Sequence, residues 1–438
     1  MPALPNFSPV FSPTPTDSLV GRGERTDSAR VPEARKRFAD QTAAEPSSRR
    51  RVGWVRQSTR WVGGVTWWFF CLASLIGLLA FVTAIPILQI LSLGYLFLVA
   101  GRLAAGGRLR EALPGWQMSG QIGLVIVMIW LASLPTRLLT HWQAAATIVA
   151  PGSVAAERLR AAAFLTAAIL TIHLWWAWAR GGRLRHYLWP EPRRFVWEAW
   201  RYTTWRDLSA RLYDSIGRLQ LPTLFWLGLR GAVGTLIWLT PAFGVIALTR
   251  EGQSAGAGIL GGVCVVTLAW VLMLLPMLQA HFAAEGRLAA LFDWKTVRRD
   301  FQNAPWSWAA AMAVGLVLLP TPLYLLKIEA TPQEVTWLPC LVFVAFMVPA
   351  RIAEGLALRR CRRFRPGLDA DDQTESRWKR WQRRWHRLSV WLVRLVVMPG
   401  IVGTYLAVLM VSQATSWDGL ETWVRQHALL VPVPFVGL

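Results

Sequence analysis

Long apolar stretches alternate with segments crowded with arginine along most of this chain. A stretch of about 20 apolar residues is long enough to cross the hydrocarbon core of a membrane as an α-helix. Only 16% of the 438 residues are charged, which is well below the share found in soluble proteins. The alternation therefore predicts an all-α integral membrane protein.

Nine candidate spans follow from the apolar stretches. They lie near residues 62–82, 83–100, 119–136, 161–178, 229–248, 258–280, 307–326, 335–353 and 388–411. The first two are contiguous, together cover only 39 residues and contain Pro86 near the start of the second. They are interpreted either as a tight helical hairpin or as one span followed by a re-entrant segment.

The positions of lysine and arginine orient these spans, because cytoplasmic segments are enriched in both residues. With the N-terminus inside, the inner segments 1–60, 101–118, 180–220, 281–306 and 351–387 carry 11, 3, 9, 4 and 12 basic residues. The outer segments carry only six, and Arg230 and Arg394 lie at span ends. We therefore expect a protein of the bacterial inner membrane with a cytoplasmic N-terminus and an external C-terminus.

Both ends of the chain lie outside the main run of spans. Residues 1–60 are rich in Pro, Ser, Thr and Arg and contain no apolar segment of a signal peptide. Their few apolar side chains cannot offset the entropy cost of ordering, which predicts a disordered basic cytoplasmic tail. Residues 388–438 are predicted to hold the last span and an outer amphipathic stretch from Trp417 to Leu430.

Repeated words indicate an internal duplication. The motif GRLAA begins at Gly101 and again at Gly286, an offset of 185 residues. LPT occurs at 134–136, 221–223 and 319–321, and its first and last occurrences share that offset. Two identical words at one offset favour duplication over chance. The units would be 61–220 and 221–387, and four spans in each make the repeat parallel, with one extra span. The repeat-motif residues are Gly101, Arg102, Pro135, Gly286, Arg287 and Pro320, and both prolines are interpreted as helix ends.

The arrangement resembles an uncharacterised family of multi-pass membrane proteins found in bacteria and archaea. The resemblance is carried by PILQILSLGYLFLVAGRLAAGGRLREALPGW at 86–116 and LPMLQAHFAAEGRLAALFDW at 275–294. The family is a domain of unknown function, so the resemblance implies topology and duplication and no activity. The long tail and the Arg/Trp segments depart from the short form typical of the family.

Two segments combine tryptophan with arginine at helical spacing. In the first, Trp378, Trp381 and Trp385 form one stripe, and a second stripe runs beside it through Arg377, Arg380, Arg384 and Arg387. This pattern is typical of an amphipathic helix that places indole rings at headgroup depth. The other segment contains Trp205 flanked by Arg201 and Arg211.

These segments have two interpretations. They are either basic–aromatic anchors that fix the topology, or a specific site for anionic lipid headgroups or a partner protein. Nucleic acid is not expected as a partner, because the basic residues sit in short blocks beside apolar spans, where anionic lipid is the nearest polyanion.

No complete catalytic or metal-binding motif is present. HExxH does not occur, and the four cysteines and six histidines show no metal-ligand spacing. GxSxG occurs once, at 252–256, but a chain of helices alone lacks the strand before the serine that this motif needs. We therefore expect a protein that is not an enzyme and binds no cofactor or metal.

Two functions remain. The first is a membrane-organising or accessory protein whose cytoplasmic Arg/Trp helices bind anionic lipid or a partner. The second is a transporter or permease for an apolar or lipid-like solute, built from the two repeats. Transporters usually carry polar groups near the bilayer midplane, where we expect only Gln89, Gln121 and Gln279.

Three charged residues lie beside or within apolar runs. Arg230 is predicted at the cytoplasmic boundary, from which its side chain can reach the interface. Glu354 follows Arg351 by three residues, and we interpret them as a simple helical pair at the end of the eighth span.

Small residues predict close contacts between helices. Gly258 and Gly262 form one GxxxG pattern, and Ser119 and Gly123 form a related pair.

A topology reporter fused after residue 438 should report the external side of the membrane, and one fused after residue 118 should report the cytoplasm. The reason is the bias of lysine and arginine to inner segments. Cytoplasmic activity from both fusions would contradict nine spans with this orientation.

Overall fold

The apolar stretches fold as α-helices, because a helix satisfies its own backbone hydrogen bonds without water. A computed structural model describes residues 47–85, 87–248, 255–320, 337–364 and 377–411, and this part of the chain contains no β-strand. The tail predicted for residues 1–60 lies largely outside the described residues, as does the predicted outer stretch from Trp417 to Leu430. Within 47–60 the chain is already helical.

The helices follow one another with short connections. The first eight are α1 (Ser47–Thr83), α2 (Gln89–Ala104), α3 (Leu109–Ala112), α4 (Trp116–Val149), α5 (Val154–Ala179), α6 (Leu184–Leu188), α7 (Pro192–Glu198) and α8 (Tyr202–Arg218). The next group is α9 (Leu221–Trp238), α10 (Thr240–Leu248), α11 (Ala255–Glu285), a 3₁₀ turn (Leu288–Phe292), α12 (Trp294–Asn303) and α13 (Pro305–Met312), which continues as a π-helix over Ala313–Leu318. The last are α14 (Trp337–Arg363), α15 (Arg377–Leu392), a π-helix (Val393–Val397) and α16 (Met398–Val411).

Seven of the described helices are long and apolar enough to cross a membrane, which supports a membrane location. They are Trp61–Thr83, Trp116–Val149, Val154–Ala179, Leu221–Trp238, Ala255–Glu285, Cys340–Arg363 and Arg380–Val408. The two other predicted spans coincide with the shorter apolar helices Gln89–Ala104 and Pro305–Leu318. The all-helical class is confirmed, and the count of nine spans stays a prediction.

Contacts divide the chain into two compact units, Met1–Gly64 and Val65–Leu438. Every contact described below lies within Val65–Leu438. In that unit the turn between α1 and α2 is held by the Ser92 hydroxyl, which donates to the carbonyl oxygen of Leu79 at 3.1 Å. The 16 residues of α2 rise only about 24 Å, so its status as a full span or a re-entrant helix stays open.

Helix α2 lies at the centre of the second unit. Eleven of its 16 residues are buried, and it packs against α9, α11 and α14. Glycines bring the backbones together: a Cβ atom on Gly94 would overlap the carbonyl oxygen of Leu224, and one on Gly228 would overlap that of Ile90. A central helix held by backbone contact can only be built where side chains are absent.

The two predicted small-residue pairs have different outcomes. Ser119 is buried, and a Cβ atom on Gly123 would overlap the hydroxyl oxygen of Ser74, so this pair lies where α4 crosses α1. No described atom lies within 4 Å of a Cβ atom built on Gly258 or Gly262. The contact predicted from that GxxxG pattern is therefore wrong for the described part of this chain.

The repeat motifs do not share one backbone conformation. Gly101 and Arg102 lie inside α2, whereas Gly286 has a φ of 68° and turns the chain after α11, just before Arg287. Pro135 lies inside α4, so the prediction that it ends a helix is wrong. The 34-residue helix continues through Pro135, as apolar helices of membrane-spanning length tolerate an interior proline by local adjustment of the hydrogen bonds. Pro320 is the last described residue before a gap, and the duplication stays a prediction.

Segments that the charge pattern assigns to one side contact each other. Arg359 Nη1 donates to the carbonyl oxygen of Gly107 at 3.2 Å, and Asn303 Nδ2 donates to that of Cys361 at 3.0 Å. The segments 101–118 and 281–306 and the C-terminal end of α14 therefore meet at one end of the unit. Arg230 reaches the same end, where Nη1 donates to the carbonyl oxygen of Gly286 at 3.3 Å.

Replacing Gly94 or Gly228 with alanine should lower the thermal midpoint of unfolding in detergent. The added methyl group would overlap a backbone carbonyl, and forcing such helices apart costs about 1–3 kcal/mol. Gly258→Ala is the matched control, since its Cβ atom meets no described atom and alanine favours a helix. Equal midpoints for all three variants would contradict the close crossing of α2 and α9.

Candidate functional site: a buried ion pair and an arginine–tryptophan helix

Two charges lie one turn apart near the middle of α14. Arg351 is 4% exposed and Glu354 is 7% exposed, and the helix continues beyond them to Arg363. The prediction that they mark the end of a span is therefore wrong. A helix passes through a pair of opposite charges when they neutralise each other and are enclosed by neighbouring helices. The expectation that glutamines are the only polar side chains inside the spans is therefore wrong as well.

A hydrogen-bonded network extends from this pair to two other helices. Arg351 Nη1 donates to Glu354 Oε2 and to Gln279 Oε1, each at 2.7 Å. The amide nitrogen of Gln279 then donates to the Thr235 hydroxyl at 2.8 Å. The network, which we call the Arg351 cluster, thus joins α14, α11 and α9.

The central helix α2 completes the Arg351 cluster from another direction. The guanidinium carbon of Arg351 lies 5.0 Å from the centre of the Phe97 ring, a distance at which the ring face attracts a cation. Phe97 also packs edge-on against Phe282 of α11 with centroids 5.6 Å apart. The Arg351 guanidinium is therefore enclosed by the same helices that its hydrogen bonds and ring contact connect.

Burying two charges costs several kcal/mol each, and their attraction compensates only in good geometry. The short contacts of Nη1 provide this geometry, but the Nε atom of Arg351 is buried without a hydrogen-bond partner. An unsatisfied buried donor costs about 1–3 kcal/mol. The pair is thus better suited to fixing which helices meet than to adding stability.

A small cavity of about 80 Å³ adjoins the Arg351 cluster. Its polar end is formed by Gln279, Arg351 and Glu354, and its other walls are apolar: Leu272, Leu275, Pro276, Gly315, Leu316, Leu319, Pro320, Phe343, Phe346, Met347 and Ala350. Binding sites for small molecules usually measure 300–1,000 Å³. The described walls therefore leave room for water and not for a solute of that size.

A second polar cluster lies where the segment 281–306 meets the C-terminal end of α14. Arg362 donates to His281 Nδ1 at 2.8 Å and lies 3.6 Å from Asp300. Burial raises the pKa of Asp300, and the Arg362 charge opposes this shift. Asp293 caps α12 by accepting the Thr296 N–H at 3.1 Å, and this bonding lowers its pKa. No group of three or more His, Cys, Asp or Glu residues in the described chain could hold a metal ion.

The first Arg/Trp segment forms helix α15, as its spacing predicts. Trp378, Trp381 and Trp385 are 67%, 51% and 51% exposed, and their rings contact one another at centroid distances of 5.1 and 5.5 Å. The predicted arginines of this helix, Arg377, Arg380, Arg384 and Arg387, are all exposed. Indole and guanidinium groups thus cover an accessible surface, and their contact with lipid stays a prediction.

The second Arg/Trp segment is built differently. Trp205 of α8 stacks on Trp175 at 4.7 Å, and its Nε1 donates to the carbonyl oxygen of Ala199 at 2.8 Å. Arg201 and Arg211 are exposed. The Trp205 ring therefore holds α8 against α5, and less of it is free than of the tryptophans in α15.

The predicted i,i+3 pair of Arg351 and Glu354 is confirmed, but the sequence did not predict the rest of the cluster. Thr235 carries no signal of its own, and Gln279 stands out only as a polar residue in an apolar run. The available signal was the apolar sequence on both sides of Arg351 and Glu354, since residues 355–358 after the pair contain only one glycine and apolar side chains. A span that ended at Arg351 would have left those side chains without a membrane or a core to bury them.

Comparison with known proteins gives one family. Residues 213–326 match the model of DUF4013, a family described as a protein of unknown function. The match confirms the resemblance to an uncharacterised family over about a quarter of the chain. It includes 275–294 but not 86–116, and it includes Thr235 and Gln279 of the Arg351 cluster but not the ion pair. No curated protein and no solved structure matches the chain.

Removing one charge of the pair should destabilise the protein more than removing both. Glu354→Leu leaves a buried uncompensated guanidinium, which costs about 3–5 kcal/mol, whereas Arg351→Met with Glu354→Leu leaves none. Thermal unfolding of the wild type, both single variants and the double variant in detergent gives the comparison. Additive losses of stability in the double variant would contradict a coupled pair.

Proposed function

We propose that this protein is a non-enzymatic membrane-organising or accessory protein of the bacterial inner membrane, with helix α15 bound to anionic lipid headgroups. One observation carries the proposal. The exposed tryptophans and arginines of α15 belong to a helix that continues without interruption, through Val393–Val397, into the apolar helix α16. The basic–aromatic surface is thus attached directly to a segment able to cross a membrane.

The chemistry of α15 suits the boundary between headgroups and hydrocarbon. Tryptophan prefers this depth because its ring is apolar and its N–H is polar. Arginine presents a planar fork of donors that matches a phosphate group. Near an anionic surface each basic residue contributes roughly 1 kcal/mol, so the four arginines together supply an attraction of a few kcal/mol.

The proposed orientation places α15 in the cytoplasm with the N-terminus, and the C-terminus outside. Its support is the concentration of basic residues on one side and the contacts among segments 101–118, 281–306 and the end of α14. The basic residues Arg359, Arg360, Arg362 and Arg363 close α14 on that side. The alternative is that a protein partner, rather than lipid, binds the same arginines. Measuring how binding depends on salt and on lipid composition distinguishes these two ligands.

The Arg351 cluster favours a second candidate, a transporter or permease for an apolar or lipid-like solute. Charged residues inside spans often mark a pathway. The adjoining cavity of about 80 Å³ is too small for such a solute in this conformation, which is why we rank this function second. Efflux of a lipid-like dye from proteoliposomes that is lost in the Arg351→Met and Glu354→Leu double variant would reverse the ranking.

Replacing Arg377, Arg380, Arg384 and Arg387 together with glutamine should weaken the selectivity for anionic lipid. In proteoliposomes, the association of spin-labelled phosphatidylglycerol relative to phosphatidylcholine is expected to fall about tenfold and to lose its salt dependence. The same four changes to lysine are the control, since they keep the charge. Unchanged selectivity in the glutamine variant would contradict the proposed function.

A further inference from the structure

Two π-helical segments face each other across an apolar groove. They are Ala313–Leu318, after α13, and Val393–Val397, between α15 and α16. The π-helix is rare and is found frequently at functional sites. The groove is open along one side and has a volume of about 520 Å³.

The walls of the groove offer almost no polar group. One wall is formed by Ala313, Val314, Val317 and Leu318, and the other by Val396, Val397, Gly400, Ile401 and Thr404. The Thr404 hydroxyl donates to the carbonyl oxygen of Gly400 in its own helix at 2.8 Å. Because this hydroxyl is already bonded, hydrocarbon can occupy the groove without leaving a polar group unsatisfied.

Basic residues lie at the end of the groove that is nearer to α15. Arg394 is exposed and lies two residues before Val396, next to the α15 end of the groove wall. Arg387 is exposed seven residues earlier, about two turns back along the continuous helix. Neither arginine forms an ion pair with a carboxylate of the described residues.

We propose that this groove binds one acyl chain of an anionic phospholipid whose phosphate is held by Arg394 and Arg387. The proposal rests on the proposed function and names its lipid site. A positive end followed by an apolar channel is complementary to a molecule with an anionic head and a hydrocarbon tail. The tryptophans of α15 lie farther along the same helix, at the headgroup side.

The length and the lining of the groove suit an acyl chain. The wall from Val396 to Thr404 rises about 12 Å, which is more than two helical turns. An extended hydrocarbon chain covers this length and needs only apolar walls beside it.

Two glycines of α16 provide a matched pair of variants. A Cβ atom built on Gly400 or on Gly403 meets no described atom within 4 Å, so a larger side chain fits either position without a backbone clash. Only Gly400 lines the groove. Gly400→Leu fills the groove, and Gly403→Leu makes the same change in the same helix outside it.

Native mass spectrometry of the full-length protein, titrated with phosphatidylglycerol in detergent, tests the proposal. We expect the wild type and Gly403→Leu to retain a tightly bound phospholipid and Gly400→Leu to bind it about tenfold more weakly. Arg394→Gln should abolish the preference for phosphatidylglycerol over phosphatidylcholine. Equal affinities for the two leucine variants, or an unchanged preference in Arg394→Gln, would overturn the lipid site.

The outcome separates this site from the proposed function. If the glutamine variant of α15 loses lipid selectivity while Gly400→Leu binds as the wild type does, the function stands and the groove site fails. If Gly400→Leu loses the lipid while glutamine at Arg377, Arg380 and Arg384, with Arg387 kept, leaves lipid selectivity unchanged, the groove site stands and the general role of α15 fails.

Discussion

The ion pair between Arg351 and Glu354 is the interaction on which the arrangement of the central helices depends. A buried guanidinium is tolerated only where acceptors are already in place. Here they come from Glu354 on the same helix and from Gln279 on α11, whose amide in turn engages Thr235 on α9. Register among three helices is thereby fixed at one point, since sliding any of them by a turn would separate donor from acceptor.

The same requirement explains the central position of α2. Its glycines allow α9 to approach until backbone meets backbone, and its Phe97 ring faces the guanidinium. Hydrophobic burial cannot select one arrangement of apolar helices within a membrane, because lipid is as apolar as the helices are. The arrangement of the helices is instead selected by the close fit at Gly94 and Gly228 and by the polar contacts of Arg351.

The arginines of helix α15 lie in a different environment from the buried Arg351. The arginines and tryptophans of α15 remain exposed, and Arg394 follows them into the apolar part of the same helix. In the proposed function, lipid phosphate supplies the counter-charge for these exposed arginines.

The sequence by itself determined the helical class, the approximate location of most apolar helices and the helix at 377–392, because these depend on local composition and periodicity. It misplaced the span predicted at 229–248, which is the helix Leu221–Trp238 followed by a separate short helix. It also pointed correctly to the Ser119–Gly123 contact. Arg230 was expected at the boundary of a span at 229–248, but it lies in the middle of the candidate span Leu221–Trp238. Only the tertiary structure decided that Gly94, and not Gly258, lies at a helix crossing, that Pro135 does not end its helix, and that Arg351 lies inside α14. The physical reason is the same in each case. A glycine pattern, a proline or a charge has no fixed meaning until the neighbouring helix is known, since what it costs or contributes depends on the groups brought against it.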